Sequence, residues 1–147
     1  MTARKLLLFR TGGRVFAVEA GAVREILPAT PCTRIPGAPT AVRGLVNVRG
    51  TLVTVVDAAL AIGVRTAPVS GDGEQVGGTL VLVEHKSRPI GLIVDDVLDL
   101  VTDSDAALTA GGVVPGVRPG LVAATGSISG ERFAQLATDA LLEPLLP

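Results

Sequence analysis

The segment from Val42 to Asp57 constrains the fold more than any other part of this chain. It places an apolar strand, a tight polar turn and a β-branched strand in direct succession. Gly50 can take the positive φ angle that a short hairpin turn needs, and residues 51–56 are rich in the Val and Thr that favour strands. The segment therefore predicts a β-hairpin, and its turn presents the polar side chains of Asn47 and Arg49.

Different roles are predicted for the two polar residues of this turn. A side chain such as that of Asn47 commonly ties down a turn through hydrogen bonds to the backbone, so we predict structural roles for Asn47 and Gly50. Arg49 is either a solvated strand end or a recognition group. A guanidinium on a rigid turn suits bidentate binding of a partner carboxylate or carbonyl, which favours partner binding for Arg49.

Short strands separated by tight turns are predicted along most of the chain. Gly12-Gly13 and Lys86-Ser87 are predicted hairpin turns, and Asp57 and Asp139 are predicted N-caps of short helices. This pattern favours an all-β fold with barrels over a parallel α/β sheet. The ten predicted strands are residues 5–10, 14–19, 24–28, 45–48, 51–56, 79–84, 88–94, 97–101, 121–126 and 132–137.

The chain also contains a weak internal repeat. With an offset of 74 residues, 6–9 falls on 80–83 and Val23 falls on Val97. With an offset of 76, residue 44 falls on residue 120. Apolar strands can resemble each other by chance, so chance similarity is the alternative. A genuine repeat predicts two similar all-β modules.

These modules lie within one predicted domain, 1–147. Their approximate ranges are 6–64 and 76–147. The stretch 65–75, which contains Pro68, lacks periodicity and is predicted to connect the two.

Composition argues against several classes of function. The 13 basic and 14 acidic residues leave a net charge of −1, which gives no general attraction to nucleic acid or to anionic lipid. Cys32 is the only cysteine, so neither an intramolecular disulfide nor a cysteine metal cluster can form. No segment approaches the roughly 20 apolar residues of a membrane helix. We therefore predict a cytoplasmic protein without membrane insertion that recognises its partners through local patches.

Catalysis is difficult to assemble from these residues. His85 is the lone histidine and lies beside a predicted turn, where we expect a solvated side chain. Asp95 and Asp96 are neighbours on a predicted strand junction and point to opposite faces. The glycine-rich stretch 111–120 lacks the lysine of a phosphate-binding loop. We predict no enzyme activity, no metal and no cofactor.

Several segments together resemble the CheW family, the adaptor proteins of bacterial chemosensory arrays. Residues 23–26, Val-Arg-Glu-Ile, resemble the family's V-x-E-I, and 42–50 carries its N-x-R-G. Residues 90–97 are similar to the family's vGl-VD-V. The resemblance covers nearly the whole chain, and it rests on the order and spacing of these segments. One departure is Thr138-Asp139, where the family usually has Leu-Asp.

The resemblance implies a fold of two packed, five-stranded SH3-like β-barrels with short helices, in which terminal segments cross between the barrels. It implies a non-enzymatic adaptor that couples the cytoplasmic tip of chemoreceptors to the regulatory domain of a CheA-type histidine kinase, at the inner face of the membrane. By resemblance, Val23, Ile26, Val94 and Val97 line a receptor-binding groove, and the alternative for each is a place in the core.

Two other classes of function remain. The first is a small β-barrel module that binds nucleic acid or another ligand. Aromatic residues make up only 2% of the chain, and these supply the stacking platforms of single-strand binders. The second is a small hydrolase, which the lone His85 disfavours.

Overall fold

A computed structural model describes residues 4–65 and 78–146, which form eleven β-strands and two short α-helices. All ten predicted strands are confirmed within a few residues, and β9 is an addition. Apart from Arg65, the predicted connection at 65–75 lies outside the described residues. The elements are β1 (Lys5–Thr11), β2 (Arg14–Glu19), β3 (Val23–Pro28), β4 (Val42–Val48), β5 (Thr51–Asp57), α1 (Ala58–Ile62), β6 (Thr79–His85), β7 (Arg88–Val94), β8 (Asp96–Thr102), β9 (Thr109–Ala110), β10 (Val122–Ile128), β11 (Glu131–Leu136) and α2 (Thr138–Leu142).

The strands form two sheets, and each takes strands from both halves of the chain. Sheet A has the order β8-β1-β2-β11-β10-β9, and sheet B has the order β3-β6-β7-β5-β4. Neighbouring strands are antiparallel except for the parallel pairs β2–β11 and β5–β7. The ranges 6–64 and 76–147 therefore do not coincide with the sheets, because the hairpins β1–β2 and β6–β7 each pair with strands from the other half. The predicted all-β fold class with two β units and short helices is confirmed.

The internal repeat is present in the strand pairing itself. In sheet A, Leu6 pairs with Val101, and in sheet B, Leu80 pairs with Leu27, which is the same pairing displaced by 74 residues. A β-bulge interrupts both pairings at equivalent points, where the register skips Leu98 in β8 and Arg24 in β3. Matching bulges specify matching registers, so the repeat is structural rather than accidental.

The offset changes to 80 residues in the second part of each copy. The β4–β5 pairing is bulged after Val42 and the β10–β11 pairing after Val122. The predicted offset of 76 for these strands is therefore wrong, although it holds earlier, where Thr33 bridges β4 and Thr109 bridges β10. The loop between these points is four residues longer in the second copy. The counterpart of β9 in sheet B is the isolated bridge of Thr33.

Three apolar clusters fill the structure. The largest lies between the sheets and contains side chains from both of them together with α1 and α2, including Phe9, Phe16 and Leu141. A second cluster in sheet A includes Leu6 and Leu8, and a third in sheet B includes their counterparts Leu80 and Leu82. Each sheet therefore has its own small core in addition to the shared one.

The two helices begin differently. Asp57 caps α1, since its Oδ1 accepts a hydrogen bond from the Leu60 amide at 3.2 Å. The predicted cap at Asp139 is wrong, because α2 starts after Ala137, which offers no capping side chain. The chain turns into α2 directly after β11 ends, so Asp139 lies inside the helix.

Candidate partner-binding site

The turn between β4 and β5 is rigid and closed by its own residues. Val48 pairs with Thr51, which leaves a two-residue turn in which Arg49 has φ 49° and Gly50 has φ 86°. Two positive φ angles are typical of the hairpin turn whose twist matches the flanking strands. The Oδ1 atom of Asn47 accepts a hydrogen bond from the Gly50 amide at 2.7 Å. Asn47 and Gly50 thus fix the position of Arg49.

Arg49 spans from this turn to the other edge of sheet B. Its side chain is 68% exposed and forms an ion pair with Glu25 of β3. The hydrogen bond from Arg49 to Glu25, together with the charge of that carboxylate, raises the pKa of Arg49. Sequence reasoning placed Glu25 in a family motif and missed the pair. A guanidinium has five donors, so Arg49 keeps donors for a further partner.

This ion pair belongs to sheet B alone. The internal repeat places Ser129 and Asp99 of sheet A at the positions of Arg49 and Glu25. Asp99 accepts a hydrogen bond from the Leu100 amide at 2.7 Å instead. The equivalent positions of sheets A and B therefore have the same backbone pairing but carry different charges.

The four apolar residues predicted for a groove separate in the structure. Val23 and Val97 occupy equivalent positions and are half-buried against the shared core. Ile26 is 45% exposed on β3, whereas Val94 is 1% exposed. The groove prediction for Val94 is corrected to the core alternative, because β7 is an interior strand and its last residue packs between the sheets. Sequence reasoning missed Leu100, which is the counterpart of Ile26 and is 50% exposed on β8.

Two arginines of the first half pair with a carboxylate inside the fold. The buried carboxylate of Asp57 lies 3.1 Å from Nη1 of Arg65 and 3.7 Å from Nε of Arg43. Arg43 and Arg65 therefore neutralise a charge within the fold. Asp57 has a structural function in holding α1 and the start of the connection.

His85 is buried, contrary to the expected solvated turn residue. It is 3% exposed, and its Nδ1 lies 2.9 Å from Oδ1 of Asp139 while its Nε2 lies 3.3 Å from Oε2 of Glu143. The end of the chain covers the β6–β7 turn, which sequence spacing did not predict. His85 therefore ties this turn to α2 and to the short turn that follows it.

Nothing else in the described part of the chain adds a reactive centre. Burial raises the pKa of the Cys32 thiol, which disfavours the nucleophilic thiolate. Among residues 4–65 and 78–146, no three His, Cys, Asp or Glu side chains are placed to hold a metal ion. No helix within these ranges is long and apolar enough to cross a membrane.

Comparison with known proteins places this arrangement among characterised folds. The sequence profile of the "CheW-like domain" matches residues 5–143. The solved structure of the scaffolding protein TtCheW from Thermoanaerobacter tengcongensis superimposes with a TM-score of 0.78, covering 97% of this chain and 94% of that one. It is 19% identical in sequence, so this similarity concerns the fold.

Two curated relatives are similar over part of their length. "Chemotaxis protein CheW" of Rhizobium meliloti is 39% identical over 102 residues, which span 69% of this chain and 63% of the relative. "Protein PilI" of Pseudomonas aeruginosa is 36% identical over 92 residues, which span 63% of this chain and 49% of the relative. The alignments therefore span less than two thirds of these relatives.

Proposed function

This chain belongs to the family of CheW-like domains, and on that basis we propose that it is a scaffold without catalytic activity that couples chemoreceptors to a CheA-type histidine kinase. The observation that carries the proposal is the family match over residues 5–143, which spans both sheets. The relative named "Chemotaxis protein CheW" from Rhizobium meliloti supports the same signalling context. The proposed location is the cytoplasm, at receptor arrays on the inner face of the membrane.

The proposed receptor surface lies on β3 of sheet B. Ile26 offers an apolar side chain there, and Val23 lies three residues earlier on the same strand. Val97 is the equivalent of Val23 on β8. Arg49, held by Asn47 and Gly50 and paired with Glu25, supplies a charged contact on the other face of β3, because Glu25 and Ile26 are consecutive on the strand. β3 is the edge strand of sheet B, so a helical protein tip with both apolar and acidic side chains could contact both faces there.

The first experiment measures assembly with purified partners. The Ile26→Glu variant should retain its melting temperature, because the side chain is already 45% exposed, and should lose capture by a chemoreceptor cytoplasmic fragment. Binding to the regulatory domain of a CheA-type kinase should persist. Leu100→Glu is the matched control on the equivalent strand and should bind the receptor normally. Equal losses in both variants would remove β3 from the proposal.

The second experiment separates a direct role of Arg49 from its ion pair. Arg49→Ala should leave the melting temperature nearly unchanged, because the pair with Glu25 is exposed, while weakening complex assembly by roughly thirtyfold or more. Glu25→Ala should weaken assembly less if Arg49 contacts the partner itself. If Arg49→Ala assembles and signals normally, Arg49 is a solvated turn residue and the charged contact lies elsewhere.

A further inference from the structure

A cleft of about 700 Å³ opens beside sheet A, between β2, β10, β11 and the loop that joins β9 to β10. Its volume is in the range of sites that bind small molecules, about 300–1,000 Å³. Buried Phe16 and Phe133 form part of its floor. At its mouth, Val113 is 97% exposed, so an apolar group in the cleft would bury apolar surface there.

Three arginines, Arg10, Arg14 and Arg132, surround the cleft, against a single carboxylate, Glu131. Glu131 lies 3.9 Å from Arg10, and neither Arg14 nor Arg132 forms an ion pair with any other residue in the described ranges. The chain as a whole has a net charge of −1. The positive charge at the cleft is therefore local.

Arg14 is held in place before any ligand binds. Its guanidinium lies over the ring of Phe16, 6.0 Å from the ring centroid, and donates a hydrogen bond to the carbonyl of Pro115. This bond also fixes the loop against β2. A cation held by an aromatic face and a loop carbonyl has lost much of its conformational freedom, which lowers the entropic cost of binding an anion.

The internal repeat shows that the common scaffold does not require these features. In sheet B, the positions of Arg10, Arg14 and Arg132 carry Glu84, Arg88 and Leu52. Two of the three positive charges are therefore absent there. The loop beside the cleft is also the one that is four residues longer in the second copy. Charge and loop length depart from the repeat at the same place, so the cleft is an addition to sheet A.

We propose that this cleft binds a small amphipathic organic anion, with a single carboxylate or sulfonate group on an apolar body. Arg10 and Arg132 contact the anionic group at the mouth. Arg14 contributes positive potential from its fixed position over Phe16. The apolar body packs against Val113 and the neighbouring loop. The proposal is independent of the receptor surface described above.

The test is a titration of the full chain with 1-anilinonaphthalene-8-sulfonate, a fluorescent apolar sulfonate, with octanoate as a competitor. We expect saturable one-site binding that octanoate displaces. Arg132→Ala and Arg10→Ala should each weaken binding roughly tenfold, as expected for the loss of a charge-assisted contact. Arg88→Ala, at the equivalent of Arg14 in sheet B, is the matched control and should bind the dye like the parent chain.

Three results would overturn the proposal. One is the absence of saturable dye binding by the folded chain. Another is equal binding of the neutral analogue N-phenyl-1-naphthylamine, which would show an apolar site without anion recognition. The third is sedimentation with phosphatidylglycerol vesicles that depends on Arg132 while octanoate fails to displace the dye, which would identify a lipid surface instead. Circular dichroism of each variant excludes dye binding by an unfolded chain.

Discussion

Sheets A and B are two versions of one scaffold that differ mainly in their polar groups. Each has a β-bulge at the same point of two strand pairs. All four hairpins also use two-residue turns with positive φ angles, at Gly12-Gly13, Arg49-Gly50, Lys86-Ser87 and Ser129-Gly130. Sheet B alone carries the ion pair of Arg49 with Glu25, and sheet A alone carries the arginine-lined cleft. The repeated positions determine the fold, and the departures mark where the two sheets can differ in what they bind.

One residue, Arg118, contacts both short helices. Arg118, in the longer loop of the second copy, donates from Nε to the carbonyl of Ala61 at 3.2 Å and from Nη2 to that of Leu141 at 3.3 Å. It thereby satisfies carbonyls at the ends of both α1 and α2. Arg118 thus links the longer loop to both short helices.

The largest expected effect comes from exchanging Gly44 and its counterpart Ala124. Gly44 has φ 147°, and a Cβ atom there would overlap the carbonyl oxygen of Thr33. Gly44→Ala should lower the free energy of unfolding by about 2–4 kcal/mol. Ala124→Gly should cost only about 0.5–1 kcal/mol. Urea denaturation of both variants measures the difference, and equal costs would show that the bridge of Thr33 to β4 can move.

A smaller effect is expected at the starts of the two helices. Asp57→Ala removes the cap of α1 and leaves Arg43 and Arg65 without their carboxylate, so a loss of about 2 kcal/mol is expected. At the equivalent position of α2, Ala137→Ser should supply a missing cap and stabilise the chain by up to about 1 kcal/mol. Thermal and urea denaturation test both changes. Destabilisation by Ala137→Ser would mean that the two helix starts are not equivalent.

The smallest effect concerns acid stability at the β6–β7 turn, whose charged contacts have no counterpart in sheet A because Thr11 and Gly12 occupy the positions of His85 and Lys86 there. The hydrogen bond from Lys86 and the charges of Lys86 and His85 lower the pKa of Glu143. A lowered pKa means that the stabilisation by Glu143 is present above its ordinary pKa of about 4.3 and is lost as the pH falls through the lowered value.

Glu143→Gln should therefore be less stable than the parent chain at neutral pH, and the difference should shrink as the pH falls below about 4. Denaturation at several pH values measures it. A carboxyl titration by NMR provides the matched control, since Lys86→Met should raise the pKa of Glu143 towards its ordinary value. A difference that is constant with pH would show that Glu143 acts through packing alone.

Much of the candidate site was predictable, because its parts are local. Asn47 and Gly50 lie within three residues of each other, so turn chemistry alone predicts how Arg49 is presented. The partner of Arg49 was not predictable in this way. Glu25 is 24 residues away and meets Arg49 only because β3 and the β4–β5 turn come together at sheet B.

The sequence by itself determined the strands, the turns and the repeat, since alternating apolar residues and glycine turns act within a few neighbouring positions. Only the tertiary structure decided which strands share a sheet. The parallel pairs β2–β11 and β5–β7 join segments distant in sequence, and any apolar strand edge could satisfy the backbone hydrogen bonds of either hairpin. The same distant packing buried His85 under α2 and placed Val94 in the shared core. The residues that neighbour a side chain in sequence do not determine which distant segment will cover it, because this packing depends on the free energy of the whole assembled core.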